Sequence, residues 1–395
     1  MKILKTVNSI KNWSGKRVII REDFNVPIKI KEGKVEILDD ERLLAAVPTI
    51  RWFKKQKAKI ILISHLGRPE SAHDHFLSLY PIARRLEKIL KEKIDFVYDV
   101  FEMEIKERID KLPAGKIMMI ENIRFFSEEE ADDQGFSKYL ASLGDYFVMD
   151  AFASAHRDDA STEGIAHFLP SMAGPLLEKE VTVLSSIIEK PKRPFVAILG
   201  GAKISTKIGL VKKMLEIADK VILGGALTNT FFAAHGISAG ASKIEKNFFG
   251  EASQIPLDHP KLLLPIDAVA ADSLENPKII SVKKVDNIGS SDIITDIGPK
   301  TAEIYASEIL KAKQIVWNGP MGFYENRNFS KGTEAVAKAV AKNGKNAIIG
   351  GGETIDAVRD LKLDSKIAFI STGGGAMLEF LEGKELPGIK NLYKN

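Results

Sequence analysis

The chain has 395 residues, 57 lysines and arginines against 53 aspartates and glutamates for a formal charge of +4, and no cysteine. That length allows two or three domains with full cores. Without thiols there can be no disulfides, thiolate metal centres or cysteine nucleophiles, and the even spread of basic residues argues against a nucleic-acid arm while suiting small anionic ligands.

The longest apolar runs are strand-sized, too short for a bilayer, and MKILKTVNSIKNWSG has no apolar core of secretory-signal length. A soluble cytoplasmic protein is expected. From residue 16 onward, KRVIIRED, KIILISHLG, IDFVY, KIMMIEN and YFVMDA alternate with stretches of 3.6-residue periodicity such as LSLYPIARRLEKILKE and EEEADDQGFSKYLASLG. Nearly continuous apolar strands between amphipathic helices predict a parallel sheet covered on both faces. Prolines at 170, 175, 191 and 194 then bracket one helical segment, LLEKEVTVLSSIIEK, which reads as a domain connector. A second array follows: FVAILGG, KVILGG, LLLPIDAVAA, KQIVWNGP, NAIIGGG and KIAFISTGGG, most leading into helices. The fold class expected is α/β.

Ligands of open parallel sheets sit outside the carboxyl ends of the strands. In the first array those ends carry Arg21, Asp23, Asn25, His65, Arg68, Arg124, His156 and Arg157, with Arg42 close behind. One arginine there is ordinarily a solvated charge or a structural ion pair, but several at equivalent positions imply a ligand with several negative charges, because guanidinium forks match carboxylates and phosphates. The two histidines have no metal-ligand spacing and are read as hydrogen-bond donors to substrate.

The second array offers glycine clusters instead: GGAK at 200–203, GG at 224–225, and GGG at 350–352 and 373–375. Single glycines at such turns merely permit tight geometry, whereas bare amides at a helix N-terminus form an anion site. A phosphate is therefore expected against the backbone at 373–375. No GxxxxGK[ST] is present, nor the HRDLxxxN and DFG of protein kinases, nor GxGxxG with an acidic residue about twenty positions on. A nicotinamide-dependent oxidoreductase is thus poorly supported, and a non-enzymatic anion- or nucleic-acid-binding protein on the same scaffold is the other alternative.

REDFNVP, SHLGRP, ENIRF, DAFxxAHR, GGAKxxxK, DIGPKT, WNGPMGxxE, GGGET and STGGGAxLEFLEGKxLPG, in this order over essentially the whole chain, resemble phosphoglycerate kinase. The resemblance implies two Rossmann-like parallel-sheet domains joined by a connector helix and a hinge, with a deep interdomain cleft. Residues 1–170, with a return segment at about 380–395, would bind 3-phosphoglycerate; 171–191 would form the connector; 192–379 would bind the nucleotide. On the acid-sugar side it implies Asp23 and Asn25 for the hydroxyl and nearby oxygens, with Arg42, His65, Leu66, Gly67, Arg68, Arg124 and Arg157 around the phosphate and carboxylate. On the nucleotide side it implies Lys203, Lys207, Gly351, Gly352, Glu353 and Thr354 at the phosphates, Glu353 at the metal, Glu325 at the ribose, Gly298, Asn318 and Pro320 along the adenosine slot, and Gly201 as a further nucleotide contact.

The implied reaction is reversible phosphoryl transfer from 1,3-bisphosphoglycerate to ADP, giving 3-phosphoglycerate and ATP with Mg2+, in a monomer without nucleic-acid or membrane partners. Arg42, Lys203, Gly374 and Gly375 are the groups expected to stabilise the moving phosphoryl. Three departures from the family pattern stand out: Glu353 where aspartate is usual, DDAS after AHR, and GGALTNTF in place of the commoner GGGMA.

Overall fold

The computed structural model describes residues 3–71 and 74–394. The chain divides into two compact units, Met1–Val183 with Glu385–Asn395, and Leu184–Lys384. The division falls inside the helix Pro175–Glu189, which starts on the proline at 175.

In the first unit six parallel strands lie in the order Ile94–Val97, Ile117–Ile120, Lys59–Ile63, Arg17–Arg21, Tyr146–Met149 and Ser171–Ala173. Four of them, RVIIR, KIILI, IMMI and YFVM, are buried along nearly their whole length, as a sheet covered on both faces requires. The helix Glu41–Lys55 turns Leu43, Ala46, Val47, Ile50 and Phe53 inward at helical spacing, and carries Arg42 in its first turn. Pro81 starts the helix Tyr80–Leu90, and Lys91 ends it in the left-handed region. The return segment closes the unit through a Leu4–Tyr393 bridge, Gly388 N–H donating to Ala155 O at 2.9 Å, and a Lys390–Glu163 ion pair at 2.9 Å.

The second unit has its own parallel sheet in the order Leu262–Leu263, Lys220–Leu223, Phe195–Leu199, Gln314–Asn318, Ala347–Gly350 and Phe369–Ser371. Counted along the chain this is 3-2-1-4-5-6, the doubly wound order of dinucleotide-binding folds, with its switch point between Phe195–Leu199 and Gln314–Asn318. The first unit, counted the same way, reads 3-4-2-1-5-6, so it is Rossmann-like with its fourth strand inserted between the second and third instead of lying beside the first.

One sequence expectation is corrected. LLLPIDAVAA was read as a single strand of the parallel array. Its first part does pair in parallel, at Leu262–Leu263. Past Pro265, however, Asp267–Ala271 pairs antiparallel with Ile280–Lys284 and Ile293–Ile297, forming a separate three-stranded sheet. Proline cannot donate to a ladder, so the run breaks there.

Candidate active site

In the first unit the switch point falls between Arg17–Arg21 and Tyr146–Met149, and the charged residues collect around those carboxyl ends. Arg21 is fully buried. It donates from Nε to Ser161 Oγ at 2.9 Å, from Nη1 to the Glu22 carbonyl, and from Nη2 to His65 Nδ1 at 2.9 Å. A guanidinium has only donors, so Nδ1 must accept and the imidazole proton sits on Nε2. His65 Nε2 is buried with no partner. Burial, with Arg21, Arg124, Arg42 and His156 around it, holds the His65 pKa well below its ordinary value, so the ring is neutral and presents one N–H to whatever enters.

Arg124 is anchored beside it. Nη1 donates to Gly67 O at 3.0 Å, Nη2 faces Glu130 at 3.1 Å and Asp159 at 3.7 Å, and Nε is buried without a partner. His156 Nδ1 is likewise buried and unpaired. Arg42 forms an ion pair with Asp23, whose other oxygen accepts the Asn25 N–H at 3.0 Å. Asn25 Oδ1 in turn receives the Gly67 N–H at 2.8 Å. Arg157 is half-buried in the loop after Tyr146–Met149, and Arg68 is exposed.

Two residues that carried no signal of their own in the sequence organise this cluster. Asn122, fully buried, accepts the N–H groups of Leu66 at 3.2 Å and Arg124 at 3.1 Å, and donates to Leu66 O at 2.8 Å, so it fixes the SHLG turn against ENIRF. Glu129, also fully buried, accepts from Ser161 Oγ at 2.6 Å and Ser161 N at 2.9 Å, behind Arg21. Burial pushes its carboxyl up to about 7 although Arg21 opposes the shift. Asp159 is likewise raised by burial. Shifts in this direction weaken the negative charge set against the arginines.

In the second unit a cavity opens along the carboxyl ends of the parallel strands, lined by Gly201, Ala202, Gly225, Ala226, Asn229, Pro320, Met321, Glu325 and Glu353 among others. Glycine is required at two turns of this wall, both at positive φ. A Cβ on Gly225, at φ +69, would lie 2.6 Å from Gly201 N, and one on Gly351, at φ +91, would lie 2.7 Å from Asn318 Nδ2. Gly374 is different: at φ 52 and ψ −118 it caps the helix Gly375–Glu382, and a Cβ there would meet nothing within 4 Å. Its conformation, not its neighbours, demands glycine. Within that turn the Gly373 N–H is already taken, donating to Ser371 Oγ at 3.1 Å.

Gly201, Pro320, Glu325 and Glu353 line the cavity, while Gly352, at the start of the helix Gly352–Asp360, and Lys203 are exposed. Asn318, Thr354 and Gly298 act as braces. Asn318 Nδ2 donates to Gly350 O at 2.8 Å, Thr354 Oγ1 accepts the Gly319 N–H at 2.6 Å, and Gly298 makes room for the Asp267 carboxylate that caps the helix Pro299–Lys311. Lys207 is buried against the carbonyls of Gly200 and Asn318, and burial lowers its pKa to about 8 against the pull of Glu353. Asp296, which the sequence did not single out, lines the same cavity. It accepts the N–H groups of Gly332 at 2.6 Å and Ile297 at 2.8 Å, and burial raises it to about 7.

Among the described residues no group of three or more histidine or acidic side chains could hold a metal by itself. Glu353 offers a carboxylate on the cavity wall. That fits Mg2+, which takes one or two protein carboxylates together with substrate phosphates and water.

A doubly wound unit with glycine-walled strand ends, and a second unit whose strand ends gather arginines, define a phosphotransferase for a small anionic substrate. The family profile described as phosphoglycerate kinase matches residues 7–384. The phosphoglycerate kinase of Dictyoglomus turgidum is 45% identical over 382 residues, 95% of each chain, and that of Macrococcus caseolyticus 44% identical over 99% of each. The structure of phosphoglycerate kinase from Coxiella burnetii matches with a TM-score of 0.87 at 42% identity over 99% of both chains, and that from Pyrococcus horikoshii OT3 with 0.83 at 33% over 98%. The chain belongs to the phosphoglycerate kinase family. It is a glycolytic kinase that moves a phosphoryl group between 1,3-bisphosphoglycerate and MgADP. No helix of the described residues is long and apolar enough to cross a membrane.

Proposed function

We propose that the first unit with its return segment holds 3-phosphoglycerate or its acyl phosphate at the arginine cluster, that the second unit holds MgADP or MgATP along the glycine-walled cavity, and that Pro175–Glu189 serves as the connector and hinge. The observation that carries this reading is a set of buried, unpartnered nitrogens beside the arginine cluster of the first unit: His65 Nε2, Arg124 Nε and His156 Nδ1. Buried polar atoms in folded proteins are nearly always paired, and three left open beside arginines are accounted for by an anion that completes them.

In this reading Arg21 fixes the tautomer of His65, and His65 Nε2–H and Arg124 donate to the ligand's phosphate or carboxylate, with Arg157 and Arg68 adding charge. Asp23 and Asn25 take the hydroxyl, and Leu66 and Gly67 supply the turn that carries them. In the direction of ATP consumption the attacking group is a carboxylate, already ionised near neutral pH, so no side chain has to remove a proton. The work left is in-line positioning and stabilisation of charge on the transferring group. Arg42 of the first unit, and Lys203 with the Gly374 and Gly375 backbone of the second, are the groups assigned to that charge. Glu353 would hold the metal, which would supply further charge neutralisation. Lys207 and Gly351–Thr354 shape the phosphate end, and Glu325 meets the ribose. The enzyme works as a cytoplasmic monomer without a nucleic-acid partner.

ATP formation from 1,3-bisphosphoglycerate and MgADP, followed with wild type and Lys203→Ala, tests the reading. Wild type turns over and the variant loses most of its kcat. A Lys203→Ala enzyme with unchanged kcat removes Lys203 from the site, and a wild type inactive on this pair removes the proposed function.

A further inference from the structure

The amide of Asn229 stands apart from its surroundings. Its backbone N–H donates to Ala226 O at 3.1 Å, and both neighbouring hydroxyls are used: Thr228 Oγ1 donates to Gly225 O at 2.7 Å, and Thr230 Oγ1 accepts the Glu245 N–H at 3.1 Å. Yet the side chain, in a residue only 1% exposed, has neither Oδ1 nor Nδ2 hydrogen-bonded, and it lies in the wall of the cavity. An amide offers two donors and an acceptor. Leaving both ends unmade in a buried position is costly, so a site that keeps them open has a use for them.

Its place along the sheet edge says what would complete it. Asn229 lies in the helix Leu227–Ala234, which follows the strand Lys220–Leu223, whereas Glu353 lies in the helix that follows Ala347–Gly350. Phe195–Leu199 and Gln314–Asn318 run between those two strands. Three inter-strand spacings of ~4.8 Å put the ends about 14 Å apart, roughly the reach of an extended nucleoside diphosphate. Phosphates at the Glu353 end leave the base at the Asn229 end, where Phe232, one helical turn on, supplies an apolar wall.

We propose that Asn229 reads the nucleobase, its Oδ1 accepting from the 6-amino group of adenine and its Nδ2 donating to the adjacent ring nitrogen. A carboxamide matches that donor-acceptor pair with two bonds. The inference rests on the nucleotide lying in this cavity, and makes Asn229 a specificity residue rather than a catalytic one.

The test compares ADP with purine riboside 5′-diphosphate, which lacks the 6-amino group, on wild type and Asn229→Leu, by titration calorimetry and by KM with acyl phosphate saturating. Wild type is expected to bind ADP about tenfold more tightly than the analogue. Asn229→Leu is expected to bind the two within a factor of two, with a Tm no lower than wild type, because a buried unpaired amide has been replaced by an apolar group of similar size. Equal discrimination by both proteins overturns the proposal, as does a drop in Tm of Asn229→Leu with no change in nucleotide preference. Ala226→Trp, which fills the cavity beside the same helix, separates this failure from a failure of the cavity assignment. If Ala226→Trp folds and still binds ADP normally, the nucleotide lies elsewhere and the reading beneath the proposal is wrong; if it abolishes ADP binding while Asn229→Leu keeps the wild-type preference, only the role of Asn229 is lost.

Discussion

Replacing His65 with leucine tests the logic of the anion site at one atom. The neutral ring accepts from Arg21 Nη2 and presents Nε2–H, buried and unpaired. A hydrogen bond to a charged partner contributes about 1.5–3 kcal/mol, so removing the donor raises the KM for 3-phosphoglycerate by about tenfold to a hundredfold and leaves the KM for MgATP alone. The same change strands Arg21 Nη2 in the interior and costs about 1–3 kcal/mol of stability. His65→Gln keeps an acceptor for Arg21 and so recovers part of that loss. The pH dependence is specific as well. Because the folded pKa lies well below the ordinary 6.5, the imidazole becomes charged only in acid far below neutrality, and its contribution to stability is lost as pH falls toward that value. Substrate phosphate titrates near neutrality in wild type and variant alike, so the ratio of the two KM values should be flat from about pH 6 to 8. Steady-state kinetics over that range decides the matter: a step in the ratio near the ordinary histidine pKa would mean that imidazolium binds the substrate, and an equal rise in the MgATP KM would place His65 outside the acid-sugar site.

Arg42→Ala should lower kcat about 10³-fold, as for other charge-stabilising arginines in phosphoryl transfer, and should also release Asp23, its ion-pair partner; near-normal turnover at saturating substrates would remove Arg42 from the mechanism. Lys207, held to about 8 against an ordinary 10.5, loses its charge first in the folded state. Its contribution to stability therefore falls as pH drops from about 10.5 through 8, while MgADP affinity weakens as pH rises above about 8. Calorimetric titration should show that weakening in wild type and not in Lys207→Met. Glu129, raised to about 7, contributes stability that is complete below about pH 4.5 and lost as pH rises through 7. Denaturant unfolding at pH 5 and 8 should show wild type losing up to about 3 kcal/mol more than Glu129→Gln, and equal losses would mean that Glu129 is ionised throughout.

The division into an arginine-bearing and a glycine-bearing array was legible because apolar runs, prolines and glycines are local signals, and because ligand residues of a parallel sheet concentrate at strand ends. The spatial order of the strands was not. Nothing in the hydrophobic period of KIMMIEN says that Ile117–Ile120 slips between Ile94–Val97 and Lys59–Ile63, and nothing but Pro265 warned that LLLPIDAVAA changes sheets. Asn122, Glu129, Asp296 and Asn229 were missed for a shared reason. Each is an ordinary polar residue in sequence, and only burial and the partners it has or lacks give it a role. Asn318, Thr354 and Gly298, assigned to the ligand by resemblance, also brace the turns around the cavity. A motif preserves the residues that hold a loop as well as those that touch a ligand.

The account rests on a division of labour between the two units, and calorimetry of 3-phosphoglycerate and of MgADP, each titrated into wild type, Arg124→Leu and Ala226→Trp, tests it most directly. The prediction is that Arg124→Leu loses 3-phosphoglycerate and keeps MgADP, and that Ala226→Trp does the reverse. Loss of both ligands in either folded variant, or of the opposite ligand, would contradict it.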